Sequence, residues 1–141
     1  MCIRDSLWGV LHGVRAFVPR MLAGGDEGHV VNIGSMQSVT TLPHLGAYAV
    51  AKHGVLGLTD ALRAELAAAG GAVGASIVLP GRILTTMNAE GAPASVVADA
   101  VVAAATRDLP YVATDPDRVG EVTSRFAAVA EGFGTLDGGG R

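Results

Sequence analysis

The run from Asn32 to Lys52, NIGSMQSVTTLPHLGAYAVAK, decides how this chain reads. It begins at the end of an apolar segment, crosses a polar loop and enters a helical pattern, so Ser35 sits at a strand end and Tyr48 and Lys52 sit at a helix start. Tyr48 and Lys52 are four residues apart and project from nearly the same helix face. A phenol titrates near ~10 in isolation and is a poor acid or base at neutral pH, whereas an ammonium beside it stabilises phenolate. With a serine hydroxyl donating to a substrate carbonyl oxygen, such a phenol can protonate that oxygen while hydride reaches carbon. The reverse steps oxidise an alcohol. These residue types therefore support reversible carbonyl/alcohol interconversion.

Working outward, Leu7, Val10, Leu11, Val14, Phe17, Val18 and Met21 recur at intervals of 3 and 4 and predict a surface helix packed on a sheet. Gly24 to Gly28 reads as a turn, and His29 to Ile33 as a parallel strand buried on both faces that delivers Ser35 to its carboxyl end. Open α/β sheets bind ligands at that end. Gly46 to Ala69 reads as a helix with Leu58, Leu62 and Leu66 on one face. The small residues Ala49, Ala51, Gly54 and Gly57 allow a neighbour to approach closely, and Gly70-Gly71 ends the helix. Ala75 to Leu79 is a second buried strand, stopped by Pro80-Gly81. Ser95 to Thr106 reads as a helix, Tyr111 to Thr114 as a strand, and Val119, Val122, Phe126 and Val129 as the apolar face of a last helix. Alternation of this kind predicts an α/β fold with a parallel sheet covered by helices.

Composition narrows the field of functions. Half of the 141 residues are hydrophobic, which excludes a disordered chain, and a net charge of −3 without a basic cluster gives no footprint for nucleic acid. Apolar runs such as Val96 to Ala105 are interrupted by Asp99 and are too short to span a bilayer. Cys2 is the sole cysteine, so neither an internal disulfide nor a cysteine-rich metal site is expected, and no metal site is assigned. No secretory leader reads at the start, and a cytoplasmic location is the expectation.

In order, a strand ending near Ser35, a Tyr-x-x-x-Lys helix, and a strand ending in Pro80-Gly81 with Thr85 beyond it resemble the short-chain dehydrogenase/reductase family of nicotinamide-dependent oxidoreductases. The resemblance runs from about Leu7 to about Val129. It implies a partial Rossmann-like, doubly wound parallel sheet, with Ser35, Tyr48 and Lys52 as catalytic residues and NAD or NADP as cofactor. Tyr48 and Lys52 would also contact the nicotinamide ribose, while Pro80, Gly81, Ile83 and Thr85 match positions that meet the nicotinamide end. Ser35, Gln37 and Tyr48 are the expected substrate contacts, with Met87 and Asn88 flanking the pocket and Thr86 to Pro93 forming a short lid. A short lid with few polar groups points to a small or apolar carbonyl compound as substrate. Ser38 competes with Ser35, but the thirteen-residue spacing from Ser35 to Tyr48 is the family's. His44 and His53 are given no catalytic role. The sister family that acts on nucleotide sugars shares Tyr-x-x-x-Lys, but the Pro-Gly loop and brief C-terminal region favour the shorter enzymes.

Three strands make a thin sheet, and the glycine-rich strand-turn-helix that cradles a cofactor pyrophosphate has no counterpart here: Gly24, Gly25 and Gly28 precede a strand rather than follow one. The expectation is the C-terminal half of a longer enzyme, inactive by itself, with residues 1–6 (MCIRDS) a non-native segment, 7–136 the partial domain and 137–141 a loose tail. Ser6 stands where the family commonly has a catalytic asparagine, and that role is not transferred. Full-length relatives imply a homodimer or homotetramer. Two other readings stay open at this point: a non-catalytic fragment or homologue, and a dimerisation module built on the helices at 7–21 and 46–69.

Overall fold

The computed structural model describes residues 4–86 and 88–134; Met87 and the expected tail at 137–141 lie outside them. Three parallel strands, β1 (Gly28–Ile33), β2 (Val73–Leu79) and β3 (Tyr111–Ala113), form one sheet in the order β1-β2-β3. Gly28 lies opposite Val73 and Ile33 opposite Val78, while Ile77 to Leu79 face Tyr111 to Ala113. The central strand carries the core because its side chains alternate between two faces. Val73 and Ala75 pack with Val18, Leu62 and Leu66, and Ile77 and Leu79 pack with Val55, Met36 and Val39. On the opposite face Val78 meets Ala100 and Ala104. Helices α1 (Gly9–Gly24) and α2 (Gly46–Ala69) therefore cover one side of the sheet and α3 (Ala94–Thr106) the other. This is a partial Rossmann-like α/β fold, as the sequence pattern implies.

Four details depart from the sequence-based reading. Strand β1 is only partly buried from Gly28 to Val31, with Asn32 buried and Ile33 exposed, because among the described residues β2 is its one neighbour and its other edge is open. Arg4–Trp8 forms a π-helical turn leading into α1, so residues 4–6 join the start of the helix instead of lying outside it. A 3₁₀ turn at Pro116–Arg118 precedes α4 (Val119–Gly134). The apolar face of α4 does not sink into the core: Val119 is 67% exposed, Phe126 52% and Val129 55%. Of that stripe, Val122 is the residue that packs against the core. A cavity of about 850 Å³ opens between α4, α2 and β3, walled by Val39, Leu56, Tyr111 and Phe126 among others.

The small residues of α2 act as expected at Gly54, where an added methyl would lie 2.9 Å from a Leu7 methyl; that contact brings the first helical turn onto α2. Gly70 ends the helix in the left-handed conformation, at φ 65°. No helix among the described residues is long and apolar enough to cross a membrane.

Candidate active site

Ser35 follows β1 through Gly34, whose missing side chain is required: a Cβ there would lie 2.7 Å from Ile77 and 2.8 Å from the Ser38 hydroxyl. The loop then turns into a 3₁₀ segment, Met36–Ser38, with Ser35 as its cap. Within this cap the two serines differ. Ser38 is fully buried, and its Oγ accepts the Ser35 backbone N–H at 3.1 Å. Ser35 Oγ accepts the Gln37 N–H at 3.1 Å and lines a cavity of about 800 Å³. Neither serine O–H has an acceptor among the described residues, but Ser35 lines the cavity and Ser38 is fully buried, so Ser35, not Ser38, can donate to a ligand.

Tyr48 lines the same cavity from the first turn of α2, and its phenol oxygen has no hydrogen-bond partner among the described residues. Lys52 stands one turn on. Its ammonium is 5.8 Å from the centre of the Tyr48 ring, within cation–π range, and donates to the Ile33 carbonyl at 3.2 Å. Burial away from water pulls the Lys52 pKa below the ordinary lysine value. Lys52 is absent from the cavity lining and lies between the phenol and the end of β1.

Pro80 and Gly81 form the facing wall. The Met36 N–H donates to the Pro80 carbonyl at 2.9 Å, joining the Ser35 loop to the end of β2, and Gly81 N–H donates to Thr114 Oγ1 at 3.1 Å. Gly81 must be glycine because Asp115 occupies the space of a side chain, with its Oδ2 2.6 Å from where a Cβ would sit. Gln37 and Asn88 line the cavity too, and the buried Gln37 Oε1 lacks a partner. Ile83 and Thr85 are not part of the lining. Their loop folds on itself: Leu84 N–H reaches the Ala92 carbonyl at 2.8 Å, and Thr85 exchanges backbone bonds with Asn88.

His44 lines the cavity at φ 65°, a left-handed conformation uncommon outside glycine, asparagine and aspartate. His53 faces elsewhere: its Nδ1–H donates to the Ala49 carbonyl at 2.9 Å, leaving Nε2 to accept from Arg125 at 2.7 Å. Among the described residues no three His, Cys, Asp or Glu side chains converge to hold a metal.

Two groups of residues escaped the sequence reading. Asn32, taken there as part of an apolar strand, is buried and donates to Thr59 Oγ1 of α2 at 2.9 Å, locking the Tyr-Lys helix against the Ser35 strand. A polar residue inside an apolar run was the available signal. Asp115, Arg118 and Glu121 also line the cavity. Arg118 forks onto Glu121 through Nε (3.0 Å) and Nη2 (2.6 Å), and the same Nη2 donates to Thr40 Oγ1 at 3.0 Å. The fork holds the Glu121 carboxyl below its ordinary range. Nothing local in the sequence marked these three.

The short chain dehydrogenase family profile matches residues 1–96. A 1-deoxy-11-beta-hydroxypentalenate dehydrogenase of Streptomyces avermitilis is 35% identical over 132 residues, a match covering 86% of this chain and 48% of that protein. Among solved structures, a short chain dehydrogenase/reductase of Burkholderia phymatum in complex with NAD superimposes with a TM-score of 0.83 at 26% identity, covering 91% of this chain and 57% of that one. A short chain dehydrogenase of Burkholderia cenocepacia in complex with NADP gives 0.75 at 27%, covering 92% and 56%. This chain spans about half the length of these relatives. A profile matched over residues 1–96 of 141, on a parallel α/β fold in which the end of β1 and the start of α2 bring Ser35 and Tyr48 into one cavity, places the chain in the short-chain dehydrogenase/reductase family of oxidoreductases.

Proposed function

We propose that this chain carries the catalytic half of a nicotinamide-dependent oxidoreductase that interconverts a carbonyl and an alcohol. One observation carries the reading: two hydroxyls without acceptors, those of Ser35 and Tyr48, line a single cavity at the carboxyl ends of parallel strands. Ser35 donates to the substrate oxygen, and Tyr48 delivers the proton to that oxygen in reduction and takes it back in oxidation. Lys52 keeps positive charge beside the phenol and, in this reading, also bonds the nicotinamide ribose. Gln37 contacts substrate.

In this reading Pro80 and Gly81, which line the cavity together with Tyr48, would meet the nicotinamide end of such a cofactor, with Ile83 and Thr85 following on the loop outside the lining. A nicotinamide held there supplies or accepts hydride at carbon. Among the described residues no glycine-rich turn leads from a strand into a helix that could hold a pyrophosphate. We take that half of the site to come from sequence upstream of this chain, with NAD or NADP left open and a cytoplasmic homodimer or homotetramer as the working assembly. Leu42, Leu45 and Met36 on the cavity wall favour a small or apolar substrate.

The test is steady-state kinetics with NAD and NADP on the chain extended through its upstream coding sequence, with the 141-residue chain assayed beside it. Turnover of secondary alcohols or ketones by the extended protein, abolished by Tyr48→Phe, is the expected result. Undiminished turnover in Tyr48→Phe would overturn the acid–base assignment, and turnover or micromolar cofactor binding by the short chain would overturn the half-site reading.

A further inference from the structure

We propose that Arg118 is a positioning residue for the Ser35 hydroxyl, acting through Thr40 from an element outside the stretch that the family profile matches. The inference rests on the function proposed above.

The geometry is a chain of bonds with each donor accounted for. Thr40 is buried, and its hydroxyl donates to the Met36 carbonyl at 2.8 Å, while its N–H donates to the same carbonyl at 2.9 Å. Both bonds close the turn that Ser35 caps. The Thr40 oxygen then accepts from Arg118 Nη2 at 3.0 Å. The second hydrogen on that nitrogen goes to Glu121, and Nε–H completes the fork, so the guanidinium plane is set by two bonds before it reaches Thr40. Arg118 is therefore a rigid strut and not a flexible surface cation; its side chain is 20% exposed.

The strut comes from a segment that also grips the opposite wall of the cavity. Thr114, four residues earlier, receives the Gly81 N–H at 3.1 Å, and Asp115 fills the space beside Gly81. Met36 N–H to the Pro80 carbonyl ties the two walls together. Residues 114–121 thus clamp both loops that frame Ser35, although the profile match ends at residue 96. The Ser35 hydroxyl points where Gln37 N–H leaves it free to donate, and that direction depends on the turn keeping its shape. A proton-transfer site loses rate steeply when a donor is displaced by a fraction of an ångström. Arg118 does not touch the reacting atoms in this scheme; it sets the loop that does.

Two measurements test this, and they fail independently. Amide hydrogen exchange on the 141-residue chain is expected to show Arg118→Met accelerating exchange at Gln37 and Thr40 by about tenfold while Ile77, whose N–H bonds Pro110 in the central strand, is unchanged. Kinetics on the extended enzyme are expected to show kcat falling by about tenfold in Arg118→Met and in Thr40→Val, with the cofactor KM unchanged. Arg118→Lys, which keeps the cation but loses the fork that fixes it, is expected to recover only part of the loss. Unchanged exchange at Gln37 and Thr40, acceleration matched at Ile77, or wild-type kcat in Arg118→Met would each overturn the proposal. A wild-type extended enzyme without turnover, alongside the local exchange response, would overturn the oxidoreductase reading and leave the strut in place.

Discussion

The two ends of the sheet each gather hydroxyls and titratable groups, yet they differ in whether those groups are satisfied. At the amino end His29 Nε2 meets Ser76 Oγ at 2.7 Å, and Asp108 stands 3.9 Å from His29 Nδ1 with Arg63 bonded to Asp108 at 3.4 Å. Serine, histidine and aspartate in that order look like a nucleophile with its base. Ser76, however, is fully buried in the central strand, and its hydroxyl is engaged by the histidine. No substrate reaches it. At the carboxyl end Ser35 and Tyr48 make fewer bonds, and their hydroxyls face a cavity of about 800 Å³ without acceptors. The lesson is that a polar cluster complete in itself holds a fold together, whereas one left incomplete is available for chemistry.

The sharpest way to break that contrast is Tyr48→Phe in the extended enzyme. Loss of about 10²–10⁴ in kcat is expected, with little change in urea midpoint, because the phenol oxygen supports no bond among the described residues. Ser35→Ala is expected to lower kcat by about 10² and, by removing the cap bond to Gln37, to cost about 1 kcal/mol of stability, while Ser38→Ala, whose hydroxyl does not reach the cavity, acts on stability alone. Kinetics paired with denaturant titration separates the two serines.

Lys52→Met cuts in opposite directions. Turnover and cofactor affinity are expected to fall, since a cation beside the phenol is lost. Stability is expected to hold or rise, because among the described residues the half-buried ammonium has as partners just the Ile33 carbonyl and the Tyr48 ring, and its pKa is depressed by desolvation. Thermal melts at pH 7 check the second half; a fall of several degrees would mean that the Ile33 contact outweighs the desolvation.

The amino end is tested by the reverse pattern. Ser76→Ala is expected to cost about 1–3 kcal/mol of stability by leaving a half-buried imidazole unpaired, with turnover unchanged. The smallest effect is a pH dependence. Burial lowers the His29 pKa, with the Asp108 carboxylate opposing and Arg63 reinforcing the shift. A depressed folded-state value means that the unfolded chain takes up the proton first as pH falls below the ordinary histidine range near 6.5. The stability contributed at neutral pH is therefore lost on acidification through that window. Urea midpoints measured from pH 8 to pH 5 are expected to decline less steeply in His29→Gln than in wild type.

The placement of Ser35, Tyr48 and Lys52, the proposed catalytic trio, and of the Pro-Gly turn was legible because their spacing is local. Ser35, Tyr48 and Lys52 fall within eighteen consecutive residues, and a strand-loop-helix of that length has few ways to fold. Element boundaries followed for the same reason: α2 runs from Gly46 to Ala69 as the periodicity predicts. The last helix misled, since an apolar stripe states what a helix can bury but not whether a surface is there to receive it. Which residues pair across the fold was not legible from local spacing. Asn32 and Thr59 are 27 residues apart, His29 and Ser76 are 47, and Thr40 and Arg118 are 78.

By itself, then, the sequence determined a parallel α/β sheet and the residue types brought to its carboxyl end, because hydrophobic period, turn chemistry and helical spacing act over a few residues at a time. Which serine reaches the cavity, which polar cluster is closed off, and which distant arginine braces the loop were decided only by the tertiary structure. A hydroxyl's availability depends on what fills the space and the hydrogen-bonding positions around it, and those neighbours arrive from other elements of the chain.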